Sequence, residues 1–192
     1  MGEVKNILLV GVGGQGTILV GKILSNGLLE AGYDVKMSEI HGMAQRGGSV
    51  SNQVRYGQKV FSPIIDKGQA DILVAFETME AVRWSPFLKK GGELVVNDYC
   101  IPSAPILAGA ADYPEGLLEA LKNEAPTTVI KAGEIAESLG NSKAMNIVLF
   151  GALVKKMADL AAIDWEAQIK VNVKPAFVDL NLKAFQAGLS LV

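Results

Sequence analysis

A chain of 192 residues, 49% of them hydrophobic, is long enough and apolar enough for one domain of ordinary size, and this excludes a disordered chain. Net charge is −2 and the sequence pI is near 5.5, with no basic stripe, which argues against nucleic acid as the main partner. One cysteine, Cys100, and one histidine, His41, exclude an internal disulfide, a cysteine-based zinc site and an iron–sulfur cluster held by this chain alone.

The start, MGEVKN, lacks a signal-peptide core, and no apolar run approaches a membrane span, so a cytoplasmic protein is expected. A first strand is expected over residues 6–10. The helix after it sets Val20, Leu24, Leu28 and Ala31 on one face, carries Gly21 and Gly27 where close packing is possible, and ends at Gly32. A second strand covers residues 34–40, followed by the glycine-rich loop HGMAQRGGS. Val50, Asn52, Val54 and Tyr56 then alternate with Ser51, Gln53 and Arg55, the pattern of a half-exposed strand. Gly57 and Gln58 join it to KVFSP, which reads as a β-hairpin inserted antiparallel into the sheet.

ADILVAF, residues 70–76, has the continuous apolar character of a strand buried on both faces. A helix broken at Pro86 is expected over 77–90, stopped by Gly91 and Gly92, with ELVVN as the next strand. Pro102, Pro105 and Pro114 make 99–114 a long connection, and TTVIKA is a short strand. From Ala144 onward the chain reads as helical: AMNIVLFGALVKKMADLA, then DWEAQIKVNV, a stop at Lys174-Pro175, and a last helix ending near Gly188. The whole, residues 1–192, is expected to be one α/β domain, a three-layer Rossmann-like fold. Its sheet is mixed but mostly parallel, with an inserted β-hairpin and a helical C-terminal third.

Two motifs carry chemistry. Gly11, Gly13 and Gly16 of GVGGQG match G-x-G-x-x-G between a strand and a helix, where glycines allow a tight turn, close backbone approach and helix–strand packing. The helix N-terminus there favours an anion. Glu39 follows at about the twenty-residue distance where a dinucleotide site places an acid on the ribose. The same glycines also suit a turn with no ligand. Against a dehydrogenase stand the lack of room for a catalytic domain and the single histidine. In the second motif, SEIHGMAQRGGSV, Arg46, Gly47, Gly48 and Ser49 have the composition of an anion-binding nest, and Glu39 and His41 share one strand face. An ordinary surface loop whose arginine makes an ion pair has the same composition.

Taken in order, GVGGQG, SEIHGMAQRGGSV, VRYGQKVFSP, ADILVAFETMEAVR, GGELVVN and NIVLFGAL resemble the γ-type subunit or domain of 2-oxoacid:acceptor oxidoreductases, and HGMAQRGGSV resembles their indolepyruvate:ferredoxin branch most. The resemblance implies an enzyme that oxidatively decarboxylates a 2-oxoacid, attaches the acyl group to coenzyme A and passes electrons to ferredoxin, with an arylpyruvate as substrate. It places thiamine diphosphate and the iron–sulfur clusters on a larger partner subunit, and leaves this chain with assembly and coenzyme A binding but no catalytic residue. Matched by motif, the first loop would be Gly11, Gly13, Gly14, Gln15 and Gly16. The second would be Glu39, His41, Gly42, Met43, Gln45, Arg46, Gly47, Gly48 and Ser49, each facing either coenzyme A or the partner. A pyruvate or branched-chain γ subunit and a stand-alone nucleotide-binding module are the rival readings.

Of the remaining residues, Cys100 has no basic neighbour in sequence and reads as an inert thiol. Asn146 opens an apolar helix, where it could hydrogen-bond a neighbouring loop. Trp84, Trp165, Phe150 and Met157 read as packing residues.

Overall fold

In the computed structural model, residues 3–41 and 47–191 are described. The elements are β1 (Lys5–Val12), α1 (Thr17–Glu30), β2 (Asp34–His41), β3 (Ser49–Gly57), β4 (Ala70–Ala75), α2 (Thr78–Trp84), β5 (Leu88–Asn97), α3 (Ala104–Leu107), α4 (Leu117–Glu124), β6 (Thr127–Ile130), α5 (Ala132–Ser138), α6 (Met145–Lys156), α7 (Trp165–Asn172) and α8 (Val178–Leu189). They build one six-stranded sheet in the order β2-β3-β1-β4-β5-β6. β1, β4, β5 and β6 run parallel, while β3 is antiparallel to both β1 and β2.

The alternation of β1 sorts its side chains into two cores. Ile7 and Leu9 join Val20, Leu24 and Leu28 of α1 and Ile147 to Val154 of α6. Leu8 and Val10 join Leu73, Leu94, Ala81 of α2 and Leu121 of α4. Helices on both faces and apolar side chains on both sides of β1 make three layers. Leu24 and Leu28 are fully buried, each contributing about 1.5–3 kcal/mol. No helix among the described residues is long and apolar enough to cross a membrane.

The C-terminal third packs through its small residues. A Cβ at Gly188 would lie 2.0 Å from the Val148 carbonyl oxygen, and one at Gly151 would lie 2.3 Å from that of Phe185. α6 and α8 therefore touch backbone to backbone. Gly27 of α1 gives way in the same manner to the Trp165 ring of α7, whose Nε1 donates to the Leu160 carbonyl at 2.7 Å. The close packing expected at Gly27 is with this indole.

Three expectations are corrected. β3 does not pair with KVFSP: both its edges are taken by β1 and β2, so the hairpin is β2–β3. Residues 58–69 instead cross the β3 face as a loop. There Gln53 Oε1 accepts from the Ile65 amide at 2.6 Å, and Arg55 Nη1 donates to the carbonyls of Ser62 and Ile64 at 3.0 and 2.9 Å. The polar side expected to be half-exposed is therefore covered, and Gln53 and Ser51 are buried. The helix after β4 stops at Trp84 rather than near Lys90. Ser85–Phe87 forms a 3-10 turn around Pro86, which has no N–H to continue the ladder, and the chain enters β5 at Leu88. Helices α3, which lies within the expected long connection, α4 and α5 are additional to the expected elements.

Candidate functional site

β1 continues to Val12, so Gly11 lies inside the strand and not in the turn. A side chain there would strike Gln15 Oε1 at 2.8 Å and Phe76 Cβ at 2.9 Å. The turn itself is Gly13 to Gly16, with Gly14 at φ 105° and Gly16 at φ 82°, backbone that L side chains rarely adopt. Gln15 folds back over β1: its Oε1 accepts from the Val12 amide at 2.8 Å, and its Nε2 donates to the Phe76 carbonyl at 2.7 Å. Phe76 lies just past β4, and its own amide donates to Val10 at 2.8 Å.

This is the switch point of the sheet, where connections leave β1 and β4 for opposite faces and open α/β sheets take their ligands. In this chain the gap between the two strand ends is closed by the Gln15 side chain. Glu39 is also displaced from the position a ribose acid needs. β3 intervenes between β1 and β2, which puts the Glu39 strand roughly 10 Å from β1, two strand spacings away. Glu39 and His41 are exposed on the sheet's edge strand.

The second motif meets the first through backbone. The Gly13 amide donates to the Gly48 carbonyl at 2.9 Å, and the Gly47 amide to the Gly13 carbonyl at 3.4 Å. Ser49 turns away toward α2: its hydroxyl donates to the Glu80 carboxylate and accepts from Trp84 Nε1 at 3.4 Å. Arg83 Nε holds the other Glu80 oxygen at 3.0 Å. Gly42, Met43, Gln45 and Arg46 lie outside the described residues.

On the far side of β4, buried Glu77 caps α2 by accepting from the Glu80 amide at 2.9 Å. Its second oxygen accepts from the Tyr113 hydroxyl at 2.5 Å and the Ile101 amide at 3.1 Å. Burial first, and then the Glu77 carboxylate, hold the Tyr113 phenol well above its usual range. The group fastens the proline-rich connection to the strand ends. Cys100 is exposed beside it.

Sequence reasoning missed a cleft of about 480 Å³ at the N-terminus of α1. One wall is the Gly14–Gly16 turn, and the rest comes from the segment before α6 and the junction of α7 and α8. Asn146 Nδ2 donates to the Gly16 carbonyl at 3.4 Å, the loop contact its position suggested. Lys143, Lys174 and Asn181 also line the cleft. They are far from the glycine loop in sequence and stand in no short motif, so only the packing of α6 and α8 brings them to it. Among the described residues no group of three His, Cys, Asp or Glu side chains is placed to hold a metal ion.

Comparison with known proteins agrees with this architecture. Residues 6–191 match the pyruvate ferredoxin/flavodoxin oxidoreductase family. The indolepyruvate oxidoreductase subunit IorB of Pyrococcus horikoshii is 38% identical over 191 residues, covering 96% of this chain and 94% of that protein. Its counterpart in Archaeoglobus fulgidus is 40% identical over 187 residues, 95% of this chain and 92% of that protein. The crystal structure of a keto/oxoacid ferredoxin oxidoreductase γ subunit from Geobacter sulfurreducens superposes with a TM-score of 0.71 at 29% identity, covering 97% of this chain and 96% of that one. The chain belongs to the pyruvate ferredoxin/flavodoxin oxidoreductase family.

Proposed function

We propose that this chain is the small, non-redox subunit of an oligomeric 2-oxoacid:ferredoxin oxidoreductase acting on indolepyruvate and related arylpyruvates. The observation that carries the reading is the end-to-end identity of 38–40% with subunits named for indolepyruvate. The chemistry of the chain supports a division of labour. A single cysteine cannot ligate an iron–sulfur cluster, which takes four ligands. The crevice where this fold type would hold a dinucleotide is filled by Gln15.

In this reading a larger cytoplasmic partner carries thiamine diphosphate and the clusters, and delivers electrons to ferredoxin. This chain contributes assembly and a part of the coenzyme A site, with the two hydrogen-bonded glycine loops, including Arg46, as the region that faces coenzyme A or the partner. The test is a substrate panel on the complex purified through a tag on this chain. Indolepyruvate should give a higher kcat/KM than pyruvate or a branched-chain 2-oxoacid. Preference for either of the latter would move the protein to another branch, and a tagged chain that recovers no large subunit would remove the reading.

A further inference from the structure

Ser49, the first residue of β3, is fixed from two sides. Along the chain it follows Gly47 and Gly48, whose backbone pairs with that of Gly13 at 3.4 and 2.9 Å. Through its hydroxyl it donates to Glu80 Oε2, 31 positions on, and the same hydroxyl accepts from Trp84 Nε1 at 3.4 Å. The second glycine loop therefore meets the first along its backbone, while its exit into β3 is pinned to α2. One of the two backbone bonds is long, so the pin at Ser49 carries much of the placement.

Glu80 is costly where it stands. It is 5% exposed, and exchanging a buried ionic contact for packed apolar side chains is often neutral or stabilising for a fold. Ala81, the next residue, shows the apolar alternative, since it packs in the core with Leu8 and Val10. Glu80 instead divides its oxygens. Oε2 takes the Ser49 hydroxyl, and Oε1 takes Arg83 Nε at 3.0 Å. The Arg83 side chain is 55% exposed, so it stays solvated while it fixes the rotation of the carboxylate, and with it the direction in which Oε2 meets the hydroxyl. Stability of the fold does not require this arrangement, whereas the placing of Ser49 does.

We propose that Glu80 is a positioning residue for the subunit contact: through Ser49 it holds the second glycine loop against the first, and so sets how tightly the surface of the two loops grips the large subunit. That surface suits a protein partner. Gln15 closes the crevice beneath it. β2, laddered to β3 beside it, is the open edge of the sheet, with Ile40 46% exposed, and such an edge offers unpaired backbone groups to another chain. The proposal rests on the proposed function for the existence of the large subunit, and on the Ser49–Glu80 contact for the placement of the loop.

The test uses the full chain as Glu80→Leu, Ser49→Ala, their combination and Glu80→Gln, each checked by circular dichroism for an intact fold. Glu80→Gln keeps an oxygen for the Ser49 hydroxyl. Amide hydrogen exchange reads the loop, and titration of the large subunit with each variant, followed by ferredoxin reduction, reads the contact. In Glu80→Leu and in Ser49→Ala the Gly13 amide should exchange at least about tenfold faster, the size of one charge-assisted hydrogen bond, while the amides of α6 exchange as in the wild type. Affinity for the large subunit should fall at least about threefold in each, as fewer chains hold the loop in place. The combination should be no worse than either change alone, and Glu80→Gln should stay near the wild type. Unchanged exchange at Gly13 in Glu80→Leu would overturn the positioning and leave the proposed function intact. Faster exchange at Gly13 with unchanged affinity would reduce Glu80 to local structure and overturn the proposal, and so would equal acceleration at Gly13 and in α6. A wild-type chain that binds no large subunit would overturn both the proposal and the proposed function.

Discussion

Gln15 and Phe76, 61 positions apart, are joined by a 2.7 Å hydrogen bond from the glutamine amide to the phenylalanine carbonyl. With its other end on the Val12 amide, the side chain fastens the glycine turn to the end of β4. The motif that looks like a nucleotide cradle is thus partly a device for seating its own glutamine, and Gly11 is bare because the glutamine oxygen stands 2.8 Å from where its Cβ would be.

Gln15→Ala should be strongly destabilising for a loop substitution. It strands the buried Val12 amide, a group worth about 1–3 kcal/mol when left unsatisfied, while the Phe76 carbonyl keeps its second donor, Asn97 Nδ2 at 3.1 Å. We expect a loss of about 1–3 kcal/mol by urea denaturation. A change under about 0.5 kcal/mol, the usual range for surface positions, would show that the bridge does not form.

Gly16→Ala combines two penalties: φ is +82°, and the new Cβ would lie 2.4 Å from Asn146 Nδ2. The left-handed backbone alone costs roughly 1–2 kcal/mol. Because Asn146 supplies the clash, adding Asn146→Ala should recover part of the loss, and the cycle should show a coupling of about 0.5 kcal/mol or more. Strict additivity in denaturation midpoints would place Asn146 away from the turn.

The contact of α6 with α8 makes a sharper test of the fold. At Gly188 the obstacle to a methyl group is the Val148 carbonyl oxygen, which belongs to backbone and cannot rotate away. Gly188→Ala should cost about 3 kcal/mol, the upper part of the overpacking range. At roughly 2–4 °C per kcal/mol for a chain of this size, calorimetric Tm should fall by about 6–12 °C. An unchanged Tm would mean the helices sit further apart.

Asp34, at the start of β2, gives a pH-dependent prediction. The Lys36 ammonium, and after it the Val60 amide, hold its carboxyl at about 2, below the ordinary 3.8. A carboxyl whose folded pKa is depressed stabilises the protein fully above its unfolded pKa, and that contribution fades as pH falls through the folded value. Wild type should therefore exceed Asp34→Asn in stability by a constant margin above about pH 5, with the margin shrinking between about pH 4 and pH 2. A margin independent of pH across that window would dissociate Asp34 from the pair.

Much of this was legible in local pattern. Apolar runs marked β1 as a strand and β4 as a strand buried on both faces, and the spacing of Val20, Leu24 and Leu28 marked the inner side of α1. What failed was pairing. The period-two pattern of residues 50–56 identifies a strand but not its neighbours. Gly57-Gln58 suggested the next segment, whereas β1 and β2 had already taken both edges. That error also hid the displacement of Glu39, since β3 moves β2 one place out. Lys143, Lys174 and Asn181 were silent for another reason: a site assembled from three helical junctions leaves no spacing to read.

The central claim is that this chain is required by the oxidoreductase but carries none of its redox chemistry. The most direct measurement is an omission assay with purified components. It follows indolepyruvate-dependent reduction of ferredoxin in the presence of coenzyme A, with the large subunit alone, this chain alone, and the two together. The account predicts turnover only for the combination, and a colourless preparation of this chain without cluster absorbance. Full activity of the large subunit without this chain, or reduction of ferredoxin by this chain alone, would contradict it.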